Sequence, residues 1–290
     1  MSNIMDGGGS IGAVDNAVIR RDKTPGAKRG GAAMARVFIT GSSDGLGLMA
    51  ARLLIEQGHE VVVHGRNDAR RVDALRAASK NKGSVSGDLA TIAGMRNVAE
   101  QVNKLGRFDA VIHNAGVGYR EPQRIETERG VPTVFAVNVL APYILTALIE
   151  RPDRLIYLSS GMHMSASPRQ DDLLWTKRPW SGSSAYAESK LCDVLLAFAV
   201  ARRWPNVMSN ALEPGWVPTK MGGPSAPGDM SKAHLTQAWL AVSDDPLARG
   251  SGNYFYHQQL REPNPIARDG KVQDQLISEC ARISGLTLPE

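Results

Sequence analysis

Thr40-Gly41-Ser42-Ser43-Asp44-Gly45-Leu46-Gly47 follows the run Arg36-Val37-Phe38-Ile39 and leads into a helical pattern from Leu48 to Gln57. A strand that turns through glycines into a helix brings free backbone N–H groups and the positive end of the helix dipole to one point, which suits a phosphate. Glycine permits the tight turn and lets the backbone approach a pyrophosphate closely. On this reading Gly41, Ser43, Asp44, Gly45, Leu46 and Gly47 line a dinucleotide site. Ordinary tight turns use glycine too, so the rest of the chain has to decide.

From residue 36 onward, short β-branched runs alternate with amphipathic segments, the pattern of βαβ units around a parallel sheet. Strands are expected near 36–40, 61–65, 84–87, 109–113, 154–159, 207–212 and 253–256. Helices are expected near 45–57, 68–79, 91–105, 132–150, 183–204 and 229–242. The predicted fold class is α/β, a single Rossmann-type doubly wound domain with a seven-stranded parallel sheet. A chain of 290 residues, 42% hydrophobic and 22% charged, is large and apolar enough to bury such a core. Residues 1–33, with Gly7-Gly8-Gly9-Ser10 and Gly26-Ala27-Lys28-Arg29-Gly30-Gly31, lack apolar periodicity and read as a disordered N-terminal tail. Residues 34–290 then form one dinucleotide-binding domain with its substrate loops. Met34, just before the first strand, leaves two starts open, Met1 and Met34.

The formal charge of +5 raises nucleic-acid binding, so its location matters. Arg20, Arg21, Lys23, Lys28 and Arg29 against Asp6, Asp15 and Asp22 put +2 in residues 1–33, leaving +3 spread over 257 residues. No basic face follows, and no nucleic-acid partner is expected. Cys192 and Cys280 have neither CxxC nor Cys/His spacing, and the six histidines never fall at HxxxH, so neither a metal site nor a disulfide framework is indicated. No stretch approaches the roughly 20 apolar residues of a membrane-spanning helix. Thr24, Pro25 and Lys28 follow Arg20-Arg21 where an export signal needs an apolar core, so a cytoplasmic protein is expected.

The second expected strand ends at His64-Gly65-Arg66-Asn67, about 20 residues beyond the glycines, where such a chain passes the adenosine ribose. An acidic residue there would accept from the ribose hydroxyls and favour NAD. Arg66 instead offers a guanidinium fork for a 2′-phosphate, which favours NADP(H), with NAD(H) as the alternative. Against that reading, Asp68 lies two positions on and Asp44 sits inside the glycine turn, where either could hydrogen-bond an unphosphorylated ribose. Tyr186-Ala187-Glu188-Ser189-Lys190 then supplies chemistry, because a four-residue spacing on a helix puts Tyr186 and Lys190 on one face. An ammonium beside a phenol favours phenolate and so suits a general acid/base. YxxxK recurs by chance, but its company is specific. Ser159-Ser160-Gly161 closes the fifth strand, and Asn138 interrupts the apolar run Val137-Asn138-Val139-Leu140, where an uncharged polar residue is awkward to bury.

The TGxxxGxG spacing and these residues together resemble the short-chain dehydrogenase/reductase family. Asp88-Leu89 resembles its adenine-side contact, and Asn114-Ala115-Gly116 its sheet-stabilising NAG motif, with His113 where the family usually has Asn. Pro214-Gly215-Trp216-Val217-Pro218-Thr219 resembles the segment beside the nicotinamide, which makes Pro214, Gly215, Val217 and Thr219 cofactor contacts. Six motifs stand in register over residues 36 to about 256. The resemblance implies a catalytic tetrad of Asn138, Ser160, Tyr186 and Lys190. Tyr186 exchanges the proton with the substrate oxygen and Ser160 donates a hydrogen bond to it. Lys190 tunes the tyrosine and, with it, contacts the nicotinamide ribose, while Asn138 fixes a water.

Twenty-five residues separate Ser160 from Tyr186, more than in the family's shortest members. Met162, His163, Trp216 and Met221 are expected to contact substrate. Trp175 and Trp180 either join that pocket or pack within the loop. This extension, with Ser251-Gly252-Asn253-Tyr254-Phe255, resembles the retinol-dehydrogenase-like branch and implies NADP(H)-dependent reduction of a lipophilic ketone or aldehyde by a homodimer or homotetramer. A dinucleotide-sensing regulator without catalysis is the alternative, but it would be expected to lose Tyr186 or Lys190. A sugar-nucleotide epimerase would carry TGxxGxxG and a larger C-terminal region, and this chain has neither.

Overall fold

Strand β1 (Arg36–Ile39) carries the alternation that organises the core: Val37 and Ile39 face one layer and Phe38 the other. It is described here from a computed structural model that covers residues 33–127, 130–167 and 169–290. The expected tail, except for Ala33, lies outside the described residues. Both faces of β1, β2 (Glu60–Gly65), β4 (Ala110–His113) and β5 (Arg154–Leu158) are buried, as a parallel sheet between two helix layers requires. With β3 (Gly83–Ser86), β6 (Met208–Glu213) and β7 (Tyr254–Tyr256) the order is β3-β2-β1-β4-β5-β6-β7, all parallel. The seven expected strands are all present.

An eighth strand, β8 (Gln259–Leu260), pairs antiparallel with β7. His257 and Gln258 make the two-residue turn at φ +49° and +63°. Such turns usually advertise themselves with Asn-Gly or Asp-Gly, and neither is present.

Helices α1 (Gly45–Glu56) and α2 (Asp68–Ala77) start where Asp44 and Asn67 accept from the backbone N–H groups of Gly45 and Arg70. The side chain of Thr91 does the same for α3 (Ile92–Lys104) through Gly94. The expected helix 132–150 is divided. α4 (Thr133–Phe135) passes through a π-helical turn, Ala136–Leu140, into α5 (Ala141–Leu148). Pro142 has no N–H for the Asn138 carbonyl four residues back, and the Ala141 N–H bonds Ala136, five back. α6 (Gly182–Arg203) is buried along most of its length. The expected helix 229–242 breaks at His234 into α7 (Met230–Ala233) and α8 (Leu235–Val242).

α9 (Gly270–Ser284) has no counterpart among the expected helices. Leu276, Ile277, Cys280 and Ile283 form its buried stripe, and Gly285 at φ +67° ends it. The stripe joins the layer formed by α3, α5 and α6, whereas α1 and α8 cover the opposite face. Because Leu276 is fully buried there, Leu276→Ala should lower the unfolding free energy by about 2–5 kcal/mol in urea titrations. An effect within experimental error would mean that α9 does not belong to the core.

Candidate active site

The strand order reverses between β1 and β4, and a cleft of about 1520 Å³ opens along the carboxyl ends of the strands there. Its walls are tied together before any ligand is considered. Thr40 Oγ1 accepts from the backbone N–H groups of Asn114 and Ala115, both at 3.0 Å. The Asn114 amide returns hydrogen bonds to the carbonyls of Thr40 (2.9 Å) and Gly41 (3.1 Å).

The glycine turn forms one end of the cleft. Gly45 sits at φ +54° with nothing within 4 Å of where a Cβ would stand, so the turn keeps open the space an anion would take. Gly47, expected on the cofactor, does not line the cleft. A Cβ there would meet Asn114 Nδ2 at 2.4 Å, so this glycine allows helix and strand to pack. Gly41, Ser43, Asp44 and Leu46 line the cleft as expected, with Arg66, Asp88, Leu89, Asn114, Ala115 and Gly116. These features fit a bound dinucleotide phosphate.

His64 was not singled out by the sequence, although it lies in the segment that ends β2. Its buried ring accepts from Gly41 N–H through Nδ1 at 3.0 Å and donates to the Gly87 carbonyl through Nε2 at 3.0 Å. That pattern requires the neutral ring, and burial pushes its pKa down from 6.5 to about 4. His64 thus braces the glycine turn against the end of β3.

Arg66 is exposed on the lip of the cleft and, among the described residues, has no hydrogen-bond or ion-pair partner. Its acidic neighbours are already paired. Asp44 contacts Lys220 and sits 3.3 Å from Arg70; Lys220 above all holds its carboxyl below the usual range. Asp68 is 3.1 Å from Arg71 and accepts from Ser86 Oγ at 3.0 Å.

Tyr186 and Lys190, one turn apart on α6, both line the cleft, and Lys190 Nζ lies 5.8 Å from the Tyr186 ring centroid. Nζ donates to the Leu158 carbonyl at 2.7 Å and to Asp193 at 2.8 Å. An ammonium has three donors, which leaves one for the cleft. Ser160 lines the same wall, and its hydroxyl accepts from Met162 N–H at 3.3 Å. Ser159 also borders the cleft, but its hydroxyl is engaged with the Lys190 carbonyl at 2.7 Å. Asn138 stands behind the wall, buried in the π turn. Its Oδ1 accepts from Val117 N–H at 2.8 Å, and its amide donates to Ser189 Oγ at 2.9 Å and the Val117 carbonyl at 3.2 Å.

Pro214, Gly215, Trp216, Val217, Thr219 and Met221 line the remaining wall. Tyr186 donates to Met221 Sδ at 3.7 Å, and Tyr119 meets the Tyr186 ring edge-on at 5.6 Å. Tyr119 and Met230, which the sequence reading passed over, join Met162 on the cleft.

One substrate-side expectation is corrected, and one open alternative is decided. His163 is fully buried and off the cleft: Nδ1 donates to the Ser160 carbonyl at 2.8 Å while Nε2 accepts from Asn264 N–H at 3.2 Å. It supports Ser160 from behind and cannot reach a substrate. Trp175 and Trp180 pack on each other at 5.6 Å within the loop, and Arg178 covers Trp175 at 3.6 Å while pairing with Glu188 of α6. The loop therefore spends its tryptophans on its own packing.

Among the described residues no group of three His, Cys, Asp or Glu side chains is placed to hold a metal, and no helix is long and apolar enough to cross a membrane. The profile of the short chain dehydrogenase family matches residues 35–162. An uncharacterized oxidoreductase of Emericella nidulans is 43% identical over 261 residues, which cover 88% of this chain and 99% of that protein. Retinol dehydrogenase 13 of Homo sapiens is 31% identical over 289 residues, covering 87% of this chain and 85% of that one. A blue fluorescent protein from a metagenomic library, solved in complex with NADPH, has the same fold at a TM-score of 0.62 and 21% identity, over 76% of this chain and 95% of that one.

The neutral ring of His64 has a consequence for stability. Below pH 6.5 the unfolded chain takes up a proton that the folded ring refuses until about pH 4, so this group's contribution is complete above pH 6.5 and is lost as pH falls towards 4. Between pH 7 and pH 5 the loss is roughly 2 kcal/mol. His64→Gln should be less stable at pH 7 yet lose about 2 kcal/mol less over that interval in urea unfolding. Equal slopes for the two proteins would rule out a neutral His64.

Proposed function

We propose that this chain, which belongs to the short-chain dehydrogenase/reductase family, reduces a lipophilic ketone or aldehyde to the alcohol with NADPH. As a member of that family it is an NAD(P)-dependent oxidoreductase. The observation that carries the reading further is that Tyr186 and Lys190 face the same cleft as the open glycine turn, so one bound dinucleotide would span both. When bound, the nicotinamide supplies the hydride.

The chain's own residues have the remaining work. Tyr186 gives its hydroxyl proton to the carbonyl oxygen, and Ser160 donates a hydrogen bond to that oxygen as charge develops on it. The unused Lys190 donor serves the nicotinamide ribose. Asn138 anchors the Val117 backbone beside Gly116, and a second lone pair on its Oδ1 remains for a water. Tyr119, Met162, Trp216, Met221 and Met230 suit an apolar carbonyl compound. The free Arg66 fork, with Asp44 and Asp68 already paired, supports a 2′-phosphate and hence NADP(H). Every side chain in this scheme lies within residues 34–290.

Tyr186→Phe should lower kcat by about a hundredfold or more while cofactor affinity stays nearly constant, as steady-state assays over a panel of ketones and aldehydes would measure. A variant that keeps more than about a tenth of wild-type kcat would remove Tyr186 from the chemistry. Arg66→Ala should weaken NADPH about tenfold or more and leave NADH almost untouched, the size expected for losing a charge-assisted hydrogen bond. The ratio of kcat/KM for the two cofactors decides it, and a wild-type enzyme that prefers NADH would overturn the assignment.

A further inference from the structure

Lys190 shares its charge with a group that no family motif in this sequence includes. Its Nζ lies 2.8 Å from the Asp193 carboxylate, and both residues are buried. Asp193 does not line the cleft, and among the described residues Lys190 is its one side-chain partner. A buried pair is costly to assemble, and removing one partner strands the other charge, so such a pair is weak evidence for stability alone.

We infer that Asp193 is the positioning residue of Lys190: it fixes the ammonium between β5 and α6 and cancels most of its field at the Tyr186 phenol, which keeps the phenol protonated and poises the site for carbonyl reduction. The inference rests on the proposed proton role of Tyr186. Reduction needs a phenol with its proton in place, whereas alcohol oxidation needs the phenolate, and a bare ammonium beside the ring would favour the phenolate.

Other titratable groups around the pair leave this balance to Asp193. Burial keeps Tyr157 on β5, Tyr254 on β7 and Cys192 on α6 protonated, and pushes His113 on β4, stacked 4.8 Å from Tyr157, down to about 3. Burial also lowers His163, behind Ser160. Glu213 on β6 is paired with Arg261, and Glu188 on α6 with Arg178. Burial raises the Asp193 carboxyl to about 7 against the pull of Lys190. Burial alone would lower the Lys190 ammonium, but the charge and hydrogen bond of Asp193 act against it, and the ammonium is raised.

The test uses the full chain and Asp193→Asn, with two readouts. Without cofactor, the ultraviolet phenolate absorbance of Tyr186, isolated by subtracting Tyr186→Phe, should rise about one pH unit lower in the variant. A unit charge 2.8 Å beyond an ammonium that itself lies 5.8 Å from the ring centroid has an effect of that order at an effective dielectric near 20. In carbonyl reduction, the variant's kcat should fall about tenfold below wild type on the alkaline limb. The two should converge below about pH 7, where the wild-type carboxyl is itself protonated. An unmoved absorbance transition, or a loss of activity equal at every pH, overturns the inference. Should Asp193→Asn not fold, Asp193→Ser takes its place, and failure of both to fold assigns the carboxylate to the fold alone and likewise overturns it. Turnover by Tyr186→Phe would defeat the proton role itself; an inactive Tyr186→Phe beside an unmoved Asp193→Asn transition defeats only the role of Asp193.

Discussion

Thr40 accepts two consecutive backbone N–H groups, and with them β1 is locked to β4 where the strand order reverses. Helices leave the sheet on opposite faces on either side of that reversal, so a crevice is unavoidable there, and its walls need bonds of their own. Asn114 supplies two, to the carbonyls of Thr40 and Gly41, and His64 supplies the others by linking Gly41 to Gly87. With those groups satisfied internally and Asp44 capping Gly45, the Leu46 and Gly47 N–H groups of the first turn of α1 are left without an intrahelical partner at the cleft end of the helix. The opening at the glycine turn is therefore a by-product of how the sheet is closed, and both His64, which lines the cleft, and Gly47, which does not, serve that closure.

Charge is distributed unequally along the cleft. At the lip, Arg66, Arg70 and Lys220 face Asp44, and the excess is cationic and wet, which suits a phosphate that arrives hydrated. At the far end the one cation on the wall is buried and already matched by Asp193. A dry site amplifies any uncompensated charge, so the matching is worth more there than at the lip. The exposed and the buried charges of the cleft are thereby kept at separate ends, under different dielectric conditions.

How much of this was legible in the sequence follows from which signals are local. The seven parallel strands were, because each is a short run bounded by turn residues, β-branched in β1, β2 and β4 and otherwise set by its alternation with helical segments. So was much of the cleft lining, since the turn, Arg66, Tyr186 and Lys190 announce themselves by spacing. The π turn was not: periodicity over 132–150 reads as one helix, although Pro142 marks the fault. The stripe Leu276, Ile277, Cys280 and Ile283 had the right spacing for α9 but stood beyond the last motif. His163 and Asp193 illustrate the deeper limit. Whether a polar side chain faces a cleft or braces it from behind depends on partners far away in sequence, such as Asn264, or on burial that residue type alone does not reveal.

The segment from Trp216 to Gly222 meets both ends of the cleft. Lys220 reaches Asp44 in the glycine turn, Met221 lies against the Tyr186 hydroxyl, and Trp216 Nε1 and Arg120 both hold the Gly222 carbonyl. The contacts that would have to yield to ligands are the weak ones. Lys220 is exposed, and pairs of that kind are worth at most about 1 kcal/mol. A hydroxyl on a thioether sulfur is weaker than one on oxygen. At Gly222, which itself lines the cleft, the two bonds to one carbonyl anchor the end of the segment. The segment therefore joins the glycine turn to Tyr186 through contacts that cost little to break, while its firmer hydrogen bonds lie at Gly222.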